Sequence, residues 1–232
     1  MLFPPLPAYS LWPVVTRLGE AQILLPAALA LCAWMALRPS ARPLVAWWLG
    51  LLTLATLVTT LTKVAFLGWG LGSAALDFTG ISGHAMFAAA VYPLLLGVEA
   101  SGRAAAWQRL AFACGVVVAL LVAVSRVMVG AHSVSEVVAG VALGGAASAW
   151  ALRRGHLPSV RVPWLLPAAL AAWLALTPAH APPSPTHGWV TRLSLGLSGR
   201  TEPYTRLDLR RAAATAAAPA TPGPGAGLPP SH

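Results

Sequence analysis

The stretch Ser125-Arg126-Val127-Met128-Val129-Gly130-Ala131-His132-Ser133-Val134-Ser135-Glu136 decides how this chain is read. Its polar residues separate two apolar runs, roughly 107–125 and 133–152. A second polar segment, Ile81-Ser82-Gly83-His84, ends a Gly-rich loop and opens a third apolar run at roughly 84–99. Between and around them the sequence is Leu, Ala, Val and Trp, so each polar side chain needs its own explanation. The apolar runs read as scaffolding that brings the two polar segments to one place.

Of the 232 residues, 57% are hydrophobic and only 9% charged. A soluble domain carries about 25% charged residues. So few charges cannot cover a soluble surface of this size, but they suffice where lipid is the solvent. Three more apolar runs occupy roughly 21–37, 44–62 and 162–177, the second ending at Lys63. The segment holding Gly68, Gly70, Gly72 and Gly80 is too Gly-rich for a buried helix and is expected to be a loop. Gly140, Gly144 and Gly145 suit close helix packing in lipid. The expected fold is all-α, a polytopic membrane helix bundle of about six transmembrane helices. Residues 1–20, interrupted by four prolines, read as an interfacial segment, 21–178 as the transmembrane domain and 179–232 as a polar, Pro/Ala/Gly-rich tail. From about Ala212 that tail is expected to be disordered. Met1 to Tyr9 lacks the basic start and apolar core of a cleavable signal.

The formal net charge of +9 does not point to nucleic acid, because the arginines sit in short gaps between apolar runs and form no basic face. Orientation explains them better. Arg38, Arg42, Arg103, Arg109, Arg153, Arg154 and Arg161 fall in alternate loops, which are then cytoplasmic. Both polar clusters then face out of the cytoplasm, in an integral protein of the cell (inner) membrane. The arginines after the sixth run pull the other way. Cys32 and Cys114 each lie inside an apolar run and read as packing residues, with no disulfide or metal motif.

On the outer side lie Lys63, Asp77, Ser82, His84, Arg126, His132 and Glu136. Asp77 apart, two cations, two imidazoles and the Glu136 carboxylate at one membrane face suit an anionic substrate. Ser82-Gly83-His84 opens a helix, whose first N–H groups and positive dipole end favour phosphate. Glu136 lies one helical turn after His132, the spacing at which side chains meet. A carboxylate there can hold one imidazole nitrogen and raise the basicity of the other, which makes a nucleophilic His. Ser133 and Glu136 also fit a capping box, so Gln at 136 is expected to keep the cap and lose only the charge. Asp77 reads as a turn residue.

These residues resemble the type 2 phosphatidic acid phosphatase (PAP2) superfamily of membrane lipid phosphatases. The family's third motif, Ser-Arg, five residues, His, three residues, Asp, stands here as Ser125, Arg126, His132 and Glu136, with Glu for Asp. Its second, Pro-Ser-Gly-His, stands as Ile81-Ser82-Gly83-His84. Its first, Lys, six residues, Arg-Pro, keeps Lys63 but has Gly70 and Leu71 in place of Arg-Pro. The resemblance covers roughly residues 44–152. It implies that His132 is the nucleophile and forms a phosphohistidine, that Glu136 orients it and that His84 protonates the leaving oxygen. Lys63, Ser82, Gly83 and Arg126 would hold the phosphoryl oxygens of a phosphorylated lipid, with no metal or cofactor.

Blander readings stand beside these. Lys63 could snorkel at a helix end, although it is the chain's single Lys. A zinc site of His84, His132 and Glu136 would be repelled by Arg126 and Lys63. A non-catalytic lipid-phosphate-binding protein with a degenerate site is the alternative function. Val15-Thr16-Arg17-Leu18 is echoed by Val190-Thr191-Arg192-Leu193, so Arg17 or Arg192 is a candidate to supply the missing guanidinium.

Overall fold

A computed structural model describes residues 11–180 and 185–217. Those residues form an all-α membrane bundle. The helices are α1 (Trp12–Arg17), α2 (Ala21–Ala36), α3 (Arg42–Trp69), α4 (Gly83–Glu99), α5 (Ala105–Met128), α6 (Val134–Arg154), α7 (Leu165–His180), α8 (Thr186–Ser198) and α9 (Arg206–Ala217). α3, α5 and α6 are long and apolar enough to cross a bilayer, and α2, α4 and part of α7 are shorter apolar helices. Large apolar side chains face outward along α3 and α5, among them Leu54, Leu57, Leu61, Val117, Leu120, Leu121 and Val124. Such an apolar exterior is what lipid solvation requires.

Helix α4 occupies the centre, with thirteen of its seventeen residues buried. It packs against α2, α3, α5 and α6. Close approach depends on glycines in the neighbours. A Cβ on Gly115 of α5 would come 2.5 Å from the Tyr92 carbonyl oxygen, and one on Gly144 of α6 would come 2.1 Å from that of Met86. Gly140 similarly faces the Ser82 carbonyl, whereas Gly145, expected to pack with them, faces open space.

Pro93 inside α4 has no N–H, which frees the carbonyl four residues earlier. That carbonyl, Ala89 O, accepts from Ser148 Oγ of α6 at 3.0 Å, so the neighbouring helix restores the bond. Trp48 Nε1 of α3 donates to Ala90 O at 2.9 Å.

Two expectations need correction. α3 does not stop at Lys63. The residues after Lys63 are Val64, Ala65, Phe66 and Leu67, which continue the helix until Gly70 turns left-handed at φ 70°. Lys63 is thus inside a helix and not at its end. The chain beyond 179 is also more ordered than its composition implies: α8 packs on α3, and α9 runs to Ala217. The end expected to be disordered falls, after Ala217, outside the described residues.

Candidate active site

Both polar segments lie at the same end of the bundle, where α3 and α5 finish and α4 and α6 begin. A cavity of about 720 Å³ opens there. Lys63 from α3, Gly83 and His84 from the start of α4, Arg126 from the end of α5 and His132 from the turn before α6 all line it. The rest of its wall is largely apolar, including Leu25, Phe66, Leu67, Phe87, Trp189 and Val190.

The first turn of α4 carries backbone N–H groups that have no partner within the helix. Ser82 is the N-cap residue, yet its side chain makes no capping bond. Its Oγ, and Arg126 Nε, are buried without a hydrogen-bond partner. Arg126 is held from its other side, where an Nη donates to Thr16 Oγ1 at 2.7 Å. Lys63 Nζ lies 3.9 Å from the position of a Cβ on Gly83, so glycine leaves the ammonium room beside the helix start. Lys63, Arg126 and the N–H groups at the start of α4 thus meet at one cavity, an arrangement suited to an oxyanion.

His132 Nδ1 lies 2.7 Å from Glu136 Oε2, which leaves Nε2 as the nitrogen not engaged by the carboxylate. Burial pushes the His132 imidazole below its ordinary value; the bond to Glu136 opposes this, and the charges of Lys63 and Arg126 add to the depression. A neutral ring with a free Nε2 lone pair can act as a nucleophile.

Glu136 is fully buried. Its Oε2 accepts from the Ser133 backbone at 3.1 Å, completing the capping box. Its Oε1 accepts from the backbone N and the Oγ1 of Thr79, each at 2.6 Å. Capping and imidazole orientation therefore coexist in one carboxylate. Ser82 N donates to Glu136 O at 3.1 Å, which ties the two polar segments directly.

Ser82 and Glu136 stand behind the cavity wall, whereas the other five expected residues line it. Neither Arg17 nor Arg192 lines the cavity; Arg17 Nε donates to Glu20 at 3.2 Å, and Arg192 is exposed on α8. Asp77 sits in a turn with φ 49°. Burial works to raise its carboxyl, but the guanidiniums of Arg210 and Arg206 outweigh that and hold it below the usual range. Among the described residues, no group of three or more His, Cys, Asp or Glu is arranged to hold a metal.

The sequence reading missed Arg206. Its Nη2 donates to both Glu136 oxygens, at 2.8 and 2.9 Å, and to Thr79 Oγ1 at 3.2 Å. The one local signal was Thr205-x-x-Asp208, a capping pattern that marks a helix start inside the supposed tail.

A family model described as the PAP2 superfamily matches residues 61–157. A protein of Klebsiella pneumoniae, named "Uncharacterized 22.5 kDa protein in cps region", is 34% identical over 207 residues, covering 87% of this chain and 99% of that protein. No solved structure matches.

Proposed function

Because the chain belongs to the PAP2 superfamily, we propose that it is a membrane phosphatase that hydrolyses a lipid phosphomonoester or diphosphate through a phosphohistidine on His132. Membership supports phosphatase-type chemistry in general. The observation that carries the finer reading is the His132 imidazole, held through Nδ1 by a buried carboxylate and lining a cavity shared with Lys63, His84 and Arg126.

In the first step His132 Nε2 attacks phosphorus, and the bond from phosphorus to the leaving oxygen breaks. His84 gives that oxygen its proton. Lys63, Arg126 and the N–H groups at Gly83 balance the charge on the equatorial oxygens, which is the main task in phosphoryl transfer. Ser82 Oγ is buried behind the wall and makes no capping bond, so in this scheme Ser82 serves the α4 start through its backbone carbonyl, which accepts from Met86 N at 3.0 Å. In the second step water attacks the phosphohistidine and returns a proton to His84. The P–N bond breaks and inorganic phosphate leaves. The apolar wall suits the hydrocarbon part of a lipid. Seven arginines lie at the opposite end, so the site faces out of the cytoplasm by the positive-inside rule.

The test is phosphate release by the purified protein in mixed micelles, against phosphatidic acid, phosphatidylglycerol phosphate and polyprenyl diphosphate. Release is expected from at least one, and His132→Ala abolishes both turnover and acid-labile phosphoenzyme. Binding of these lipids without release from any would establish the non-catalytic alternative instead.

A further inference from the structure

We infer that Arg206 is a positioning residue for the His132–Glu136 pair, so that a C-terminal strap outside the family-matched segment completes the site. The inference rests on the phosphatase reading above. Where the family pattern has Asp, this chain has Glu136, a side chain one methylene longer. The longer carboxylate reaches past His132 to the 77–79 loop, and there it meets the Arg206 guanidinium.

Six donor contacts then converge on two oxygens: Thr79 N and Oγ1, His132 Nδ1, Ser133 N and Arg206 Nη2 twice. A carboxylate offers about four lone-pair sites. Glu136 is therefore saturated, and its plane cannot turn without breaking bonds. A fixed plane fixes the ring it holds.

The strap is built to put the guanidinium there. Tyr204 N donates to Leu67 O of α3 at 2.9 Å. The Tyr204 ring lies 3.2 Å from the position of a Cβ on Gly70. So the site where the family motif has Arg holds a glycine against which the strap docks. Thr205 and Asp208 cap α9 reciprocally, which sets the direction of Arg206, the first residue of that helix. A second Arg206 nitrogen donates to Asp77 O and pairs with Asp77 Oδ2 at 3.0 Å. Arg206 does not line the cavity, so it stands behind the pair and does not replace the missing phosphate contact.

The test uses the full chain, with Arg206→Ala, Arg206→Lys and Arg210→Ala. Arg210 binds the same Asp77 but does not touch Glu136. Arg206→Ala is expected to lower kcat about ten- to a hundredfold, by analogy with the loss when the outer partner that orients a metal-ligating imidazole is removed, with KM little changed. Arg206→Lys should fall between, because an ammonium cannot span Asp77, Thr79 and Glu136 together. Arg210→Ala should keep wild-type kcat. An independent readout is the NMR titration of the His132 ring, assigned against His132→Ala. That ring is faced by Glu136 from α6, Lys63 from α3, Arg126 from α5 and His84 from α4, with Arg206 behind Glu136. Removing the guanidinium strengthens the field of Glu136, so the His132 midpoint should rise. An equal loss in Arg210→Ala and Arg206→Ala, or an unmoved midpoint, overturns the inference. A wild-type protein that releases no phosphate overturns the phosphatase reading, and the titration still decides the positioning role.

Discussion

Gly144→Ala probes whether the contact between α4 and α6 sets the geometry of the site. The added methyl would lie 2.1 Å from Met86 O, 2.9 Å from Met86 C and 3.0 Å from Ala90 N. All three are backbone atoms, so no side chain can swing aside. Relieving the shortest contact to an ordinary 3.4 Å requires about 1.3 Å of separation between the helices. α4 carries His84, and α6 begins immediately after His132 and holds Glu136, so the same displacement acts on the groups proposed to react. Overpacking of this kind costs about 1–3 kcal/mol. A misplacement of about 1 Å at a reacting centre costs about a hundredfold in rate. Gly145→Ala is the matched control, because nothing lies within 4 Å of its Cβ position. Alanine exceeds glycine in helix propensity by about 1 kcal/mol, so this control should be neutral or slightly stabilised. Thermal melting in detergent and phosphate release report the two effects. If Gly144→Ala matches Gly145→Ala in both, close helix packing does not hold the site together.

Glu136→Gln should lose stability as well as activity, contrary to the simple expectation that glutamine keeps the cap. Every group around the carboxylate is a donor, so the new NH2 must face at least one of them, at about 1–3 kcal/mol; an unchanged melting temperature would contradict this. The acid limb of kcat/KM that belongs to His132 should fall below about pH 6.5, because its folded value is depressed and only the neutral ring attacks. Stability linked to this group is complete above the unfolded value near 6.5 and is lost as pH falls below it toward the folded value, since the unfolded chain takes the proton first. An activity midpoint above 6.5 with His132 as its source would overturn that assignment.

The parts legible in the sequence were those set by local periodicity. His132 and Glu136 meet because they are one turn apart, and Ser82 to His84 open a helix because the apolar run starts there. The reach of α3 was misread because Lys63 looked like the end of a run, although Val64 to Trp69 continue it. Gly70 looked like a lost function, whereas its left-handed turn and its missing side chain admit Tyr204. Arg206 was invisible for a different reason. Its contact joins residues seventy apart, between a composition-biased tail and a carboxylate expected to meet only His132 and Ser133; the Thr79 contact, across 57 residues, was hidden in the same way. Long-range ion pairs leave no periodic trace in a sequence.

The conflict over orientation also takes a physical form. The positive-inside rule counts Lys and Arg that interact with the membrane surface near span ends. In the tail, Arg206 and Arg210 are committed to Asp77, and Arg200 stacks on Tyr204 with its guanidinium 4.0 Å from the ring centroid. These arginines belong to the folded site end and have little left to offer a lipid surface. Arg192 and Arg211 stay exposed in the tail, so the proposed orientation rests on the larger set of seven arginines at the opposite end, from Arg38 to Arg161. Cysteines placed singly at the exposed positions Ala75, Thr201 and Ser40, in a chain lacking Cys32 and Cys114, test this with an impermeant maleimide. Ala75 and Thr201 should label in intact cells and Ser40 only after lysis. The reverse pattern would turn the whole bundle over, and labelling of Ala75 without Thr201 would separate the strap from the site it is argued to complete.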